Sequence, residues 1–179
     1  MAFGNLVDVL KSVSNEICGP ILANRAYVDG ILVGKNVGVT LPEVTPQTIE
    51  IEAMGKLSLP MWHLLEDMEA KVTKPGTDLG LGRMLGAKKL ALEIRWAQEA
   101  VGPSGDMREF GCKAFITGIP KSLPGSELSP GETTENELTY AVLRYQLFVD
   151  EEEMICVDRL AGKCEIAGVN YAKDIEKYL

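Results

Sequence analysis

Leu138-Thr139-Tyr140-Ala141-Val142-Leu143-Arg144-Tyr145-Gln146-Leu147-Phe148-Val149 decides the fold class. Five of its first eight residues are β-branched, aromatic or small, and neither Gly nor Pro interrupts it, so it reads as a long strand. Its odd face carries Ala141, Leu143, Tyr145, Leu147 and Val149. Its even face carries Tyr140, Val142, Arg144, Gln146 and Phe148. A strand with one face in water alternates cleanly between apolar and polar residues. This one does not, so something covers the second face. A helix of the same chain is the first expectation, with a neighbouring subunit as the alternative.

Outward from this strand, the same period-2 signal recurs. Leu90, Leu92, Ile94 and Trp96 share one face of Lys89–Trp96, opposite Lys89, Glu93 and Arg95. Phe110, Cys112, Ala114 and Ile116 do so in Glu109–Ile119. Met154–Val157 returns after the acidic turn Asp150–Glu153. Further upstream, Ala26–Val28 leads into a turn at Asp29-Gly30. Val37, Val39 and Leu41 alternate with polar or small neighbours, and Ile49, Ile51 and Ala53 alternate with Thr48, Glu50 and Glu52. Pro42 and Pro46 bracket the connection, so these two runs are expected to pair as a hairpin with one apolar and one acidic face. Leu59–Val72 is ambiguous: Met61, Leu64, Leu65 and Met68 have helical spacing, yet Glu66–Thr73 also fits a strand. Leu79–Ala87 could hold one or two helical turns, and Pro120–Gly131 reads as a long exposed loop. The sum is about seven strands at near-regular spacing, which suggests a sandwich or barrel.

Two terminal segments differ. Leu6, Val9, Leu10 and Val13 have helical spacing, and Gly19-Pro20 ends that run. Residues 1–22 are therefore expected to form an N-terminal helix or arm, and 23–179 a single β-domain. Asp174–Leu179 reads as a short amphipathic tail.

Composition excludes several classes. In 179 residues, hydrophobic types make up 46% and charged types 25%, enough for a core and against disorder. No stretch approaches the roughly 18 apolar residues of a membrane span, and Met1–Leu10 lacks a basic start, so neither a membrane anchor nor a secretory signal is expected. The net charge of −8 is concentrated between Glu127 and Asp158, where nine acidic residues face only Arg144. Such a segment repels nucleic acid, which disfavours a DNA-gripping surface. It reads as a solvated face or as a negative surface with a task.

The chemistry-bearing residues are sparse. The four cysteines, Cys18, Cys112, Cys156 and Cys164, form no CxxC pair and fit no zinc ribbon; Cys112 and Cys156 read as core. The one histidine, His63, sits beside Trp62 in an apolar run. Neither G-x-S-x-G nor a Walker loop occurs. Gly80–Gly86 has its third glycine one position late for a dinucleotide loop. No cofactor, metal or catalytic residue is expected. A small enzyme using His63 with Glu66 or Asp67 stands as a minor alternative, and a monomeric β-sandwich binding module as a more serious one.

The order of segments resembles the major tail tube protein of contractile-tailed phages, shared with the tubes of R-type phage-tail bacteriocins. Carrying the resemblance are Ala26-Tyr27-Val28-Asp29-Gly30, Gly38-Val39-Thr40-Leu41-Pro42, Ile49–Gly55, Tyr145–Asp150, Met154–Asp158 and Gly168-Val169-Asn170-Tyr171. It spans roughly residue 23 to the C-terminus, and the N-terminal 20 or so residues depart from it. The resemblance implies a β-sandwich-like barrel with a short helix on its flank. It implies hexameric rings that stack into a hollow tube with a continuous inner β-barrel, driven through a target envelope by a contracting sheath. Partners would be other copies, the sheath, baseplate and tape-measure proteins, and, in a phage, DNA passing without specific binding. The place would be the virion tail or a tail-like particle, after synthesis in the bacterial cytoplasm. Tubes of related secretion or injection machines are a close variant. The family also favours a strand near Glu66–Thr73 and a helix near Leu79–Ala87. Glu50 and Glu52 are the lumen-facing candidates. Leu41, Pro42, Val44, Leu123 and Leu128 in the two loops, with Tyr140, Val142 and Phe148 on the even face, are the inter-subunit candidates.

Overall fold

The computed structural model describes residues 16–173. The expected helix within residues 1–22 and the tail from Asp174 therefore lie almost wholly outside the described residues. Among these residues, twelve strands and one short helix follow in the order β1 (Ile17–Val28), β2 (Ile31–Lys35), β3 (Gly38–Thr40), β4 (Pro46–Glu52), β5 (Lys56–Leu65), β6 (Glu69–Pro75), α1 (Leu79–Met84), β7 (Leu90–Val101), β8 (Met107–Ser122), β9 (Glu135–Val149), β10 (Glu152–Asp158), β11 (Lys163–Ile166) and β12 (Val169–Asn170). The chain is thus mainly β, as the alternation requires. Strand β1 begins at Ile17 and runs through Gly19-Pro20, so the expected break there and the 22/23 boundary both fall inside a strand.

Ten strands form one antiparallel sheet, in the order β12-β11-β10-β9-β8-β7-β1-β2, with β6 also on β9 and β3 on β6. Short turns set this register. Asp29-Gly30, Asp150-Glu151 and Ala167-Gly168 each place two consecutive residues at positive φ, the two-residue hairpin turn whose twist matches the strands it joins. The sheet does not close on itself. It ends at β2 on one side and β12 on the other, and β3 ends the branch.

The branch originates in β9. Its first half pairs with β6 as far as Glu69↔Ala141, and its second half pairs with β10 from Arg144↔Asp158. Opposite, β8 advances one residue from Thr117 to Gly118 while β9 moves two, from Arg144 to Val142. Leu143 is therefore a bulge residue, and a bulge changes which parity faces inward. Asn136, Leu138, Tyr140 and Val142 are buried before it, and Tyr145 after it. The mixed faces of 138–149 have this cause: the inward face switches from even to odd midway. Gly118 permits the close approach, because a Cβ there would stand 2.9 Å from the Ala141 carbonyl oxygen.

One core results. Ala26 and Val28 of β1, Leu92 and Ile94 of β7, Ala114 and Ile116 of β8, and Ala70 and Val72 of β6 meet the buried residues of β9. Leu81 and Met84 of α1 close it, and the Tyr140 hydroxyl donates to the Met84 carbonyl at 3.1 Å. So the cover over the even face is a helix of the same chain. Asp78 caps α1 by accepting from the Leu81 N–H at 2.9 Å. It also pairs at 2.7 Å with Lys74, whose stem is buried beside Gly34. Gly80 is required where α1 meets β2, since a Cβ would lie 2.4 Å from the Val33 carbonyl oxygen.

Candidate functional site: assembly surfaces

The most exposed structured element is the β4–β5 hairpin. Among the described residues it pairs with no other strand. The expected pairing of Val37–Leu41 with Ile49–Ala53 is not formed: β3 pairs with β6, and β4 with β5. Alternation specifies a strand, but not which strand it joins. In the observed register Ile49 opposes Leu59, and Ile51 opposes Leu57, so these four side chains share one face. All four are between 38% and 46% exposed. Thr48, Glu50 and Glu52, opposite Pro60, Ser58 and Lys56, occupy the other face. An isolated two-stranded hairpin is marginal in water, so an apolar face left bare in the subunit marks a contact surface.

Its base is fastened to the body. The Trp62 and Tyr171 rings lie 5.6 Å apart, and the Arg159 guanidinium reaches the Asp67 carboxylate at 3.1 Å. His63 is exposed on β5, in a shallow depression it shares with Asp158 and Arg159. With Asp67 engaged by Arg159, and no hydrogen bond from His63 to Glu66 or Asp67 among the described residues, the geometry gives no acid–base pair there.

Open sheet edges are the second surface. Among the described strands β2 pairs only with β1, and Ile31 and Leu32 are 45% and 42% exposed along it. Such an edge presents unpaired backbone groups and invites another strand.

The loops and the outer sheet face come third. Leu123 and Leu128 are 67% and 77% exposed in the loop after β8. That loop is held at one end by Asn136, which is buried, accepts from Ser126, and donates to the Gly76 carbonyl at 2.9 Å. On the sheet face away from α1, Phe115 and Phe148 meet edge-on at 5.8 Å, and the Arg95 guanidinium stands 4.9 Å over the Tyr27 ring.

Comparison with family models matches residues 21–179 to phage tail tube protein FII. The chain belongs to that family. Among solved structures, it resembles a chain of the cryo-EM sheath–tube complex of PVC, an extracellular contractile injection system, in its extended state. The TM-score is 0.51 and the identity 13%, over 73% of this chain and 90% of that one. That likeness establishes a shared fold. Comparison with curated proteins gives no match.

For a tail tube protein the residues singled out from sequence divide clearly. Leu41 and Val44 are half-buried against the core, and Pro42 is buried. Phe148 is half-buried on the outer face. Tyr140 and Val142 are corrected: at 0% and 2% exposure they lie in the subunit's own core, because the even face turns inward before the bulge. The covered strand face therefore no longer argues for a neighbouring subunit. Glu50 and Glu52 do lie on the polar hairpin face, where Glu50 stands 3.8 Å from Lys56. The hairpin's bare face and the β2 edge were missed as surfaces. The signal was present in Leu57, Leu59 and Pro60, since Pro within a strand run marks an edge.

The acidic stretch is partly neutralised across strands. Asp150 pairs with Arg108 at 2.6 Å, Glu137 with Lys71 at 3.7 Å, and Asp158 approaches Arg144 at 4.0 Å. The cysteines expected in the core are there: Cys112 and Cys156 are buried, as is Cys164, while Cys18 is exposed. Burial pushes all three buried thiols up, which keeps them protonated and unreactive. Burial also raises the Tyr145 hydroxyl to about 12. Among the described residues no helix is long and apolar enough to cross a membrane, and no group of His, Cys, Asp and Glu is placed to hold a metal.

Proposed function

We propose that this tail tube protein closes into hexameric rings that stack into a hollow conduit, the inner tube of a contractile tail or injection particle. The observation that carries the reading is the open sheet. A subunit whose ten-stranded sheet ends in β12 and in β2, which has no described strand on its outer side although α1 packs at Val33, lacks what a barrel supplies, namely pairing of every edge. Copies arranged head to tail supply it and close into a ring where the rotation allows. The role is structural rather than catalytic. A sheath surrounds the tube, and baseplate and tape-measure proteins set its start and length. The particle is built in the bacterial cytoplasm.

In a phage, DNA passes along the lumen without specific binding, since acidic walls give no counterion-release gain. Glu50 and Glu52 are the proposed lumen residues, on the polar side of a hairpin whose apolar side needs cover. Reversing both charges should change ion conductance through the tube and slow DNA passage; unaltered conductance and passage would remove them from the wall.

The edge reading is tested by Ile31→Lys with Leu32→Lys. These exposed positions should tolerate lysine with an unchanged monomer melting temperature, while ring formation is lost. Rings of normal diameter from that variant would show that β2 is not the closing edge.

A further inference from the structure

A groove opens between β1, β3 and β7, with a volume of about 540 Å³. Ile21, Val37, Val39, Leu41, Ile94 and Trp96 line it. Its two polar side chains among the described residues each hold a backbone group. The Asn24 amide donates to the Val37 carbonyl and accepts from the Val37 N–H, both at 2.8 Å. The Gln98 amide donates to the Gly19 carbonyl at 3.0 Å. Among the described residues no charged side chain lines the groove. What fits it is therefore an apolar surface that asks for no hydrogen bonds.

The same chain carries such a surface in the bare hairpin face of Ile49, Ile51, Leu57 and Leu59. Within one subunit that face stays exposed and none of the four side chains lines the groove. We propose that the apolar face of the β4–β5 hairpin of one copy docks into the β1–β3–β7 groove of the next. This deepens the tube reading and rests on it, by naming the two patches that meet. The patches differ, so the contact is head-to-tail and propagates from copy to copy. Leu41 belongs to the groove and also begins the connection to its own subunit's hairpin.

The test uses two exposed positions, so that folding is spared. Leu57→Lys places a cation on the hairpin face, and Ile21→Glu places a carboxylate in the groove. Each variant alone, melting as the wild type does, should raise the critical concentration for tube formation by at least about tenfold, the loss of a single central contact. A one-to-one mixture should recover assembly. In alternating order every junction is then either lysine against glutamate or leucine against isoleucine. The doubly substituted chain should recover likewise. Wild-type tubes with both single variants assembling at the wild-type concentration would overturn the docking and leave the tube reading standing. Blocked singles that neither mixing nor combination rescues would also overturn it. Absence of rings and tubes from the wild type, even on preformed tube ends, would remove both.

Discussion

Truncating Tyr140 separates a core residue from an interface residue. The side chain is fully buried, and its hydroxyl donates to the Met84 carbonyl at 3.1 Å. Tyr140→Phe removes that hydrogen bond and little else, a cost of about 0.5–1.5 kcal/mol. Tyr140→Ala also empties the ring's volume between β9 and α1, a cost of about 3–5 kcal/mol for an aromatic. For a chain of this size each kcal/mol lowers the melting temperature by about 2–4 °C. The expected falls are therefore about 1–6 °C for Phe and about 6–20 °C for Ala. Thermal unfolding of the unassembled subunit, followed by circular dichroism at two protein concentrations tenfold apart, reads this directly. Because the contact is internal, the loss is the same at both concentrations, whereas a contact between copies makes stability depend on concentration. A Tyr140→Ala subunit that melts with the wild type but fails to assemble would refute the reasoning and restore this face to the interface.

Three further outcomes follow from the same contacts. Gly80→Ala forces a Cβ to within 2.4 Å of the Val33 carbonyl and should cost about 1–3 kcal/mol in urea unfolding, as α1 is pushed from β2. Asn136→Ala takes this donor from the Lys74 and Gly76 carbonyls, at about 1–3 kcal/mol, and should speed proteolytic cleavage of the 123–134 loop. The ion pair and cap hold the Asp78 carboxyl below its ordinary range, Lys74 being the main cause. A lowered folded-state pKa contributes stability above the unfolded value near 4 that is lost as pH falls through the folded one. Wild type should therefore weaken below about pH 4, and Asp78→Asn should show less of that acid dependence.

Much of the fold was legible because burial on one side of a strand writes a period of two. Leu90, Leu92 and Ile94 needed no other information, and Asp29-Gly30 marked its hairpin. The reading failed where that period was interrupted or irrelevant. The Leu143 bulge reverses the inward parity inside a strand that neither Gly nor Pro interrupts, so Tyr140 and Phe148 share a face by simple alternation and do not in the structure. Ile49 and Ile51 announce a strand but carry no label for Leu57 and Leu59 as partners. Met61, Leu64 and Leu65 break the period of two because β5 is irregular there: it moves from Met61 to Leu65 while β4 moves one residue, from Gln47 to Pro46. Lys74 gave no sign of its burial, which depends on Asp78 four residues on and on the space beside Gly34. The candidate surfaces were legible in polarity, as Glu50 and Glu52 show, and illegible in placement, which the topology decides.

The central claim is that copies of this chain build a hollow tube. Negative-stain electron microscopy of the purified protein at rising concentration, with light scattering alongside and preformed tube ends added, tests it most directly. The account predicts rings and hollow tubes of uniform width that lengthen with concentration. A monodisperse monomer that stays so at every concentration and in the presence of those ends would contradict it.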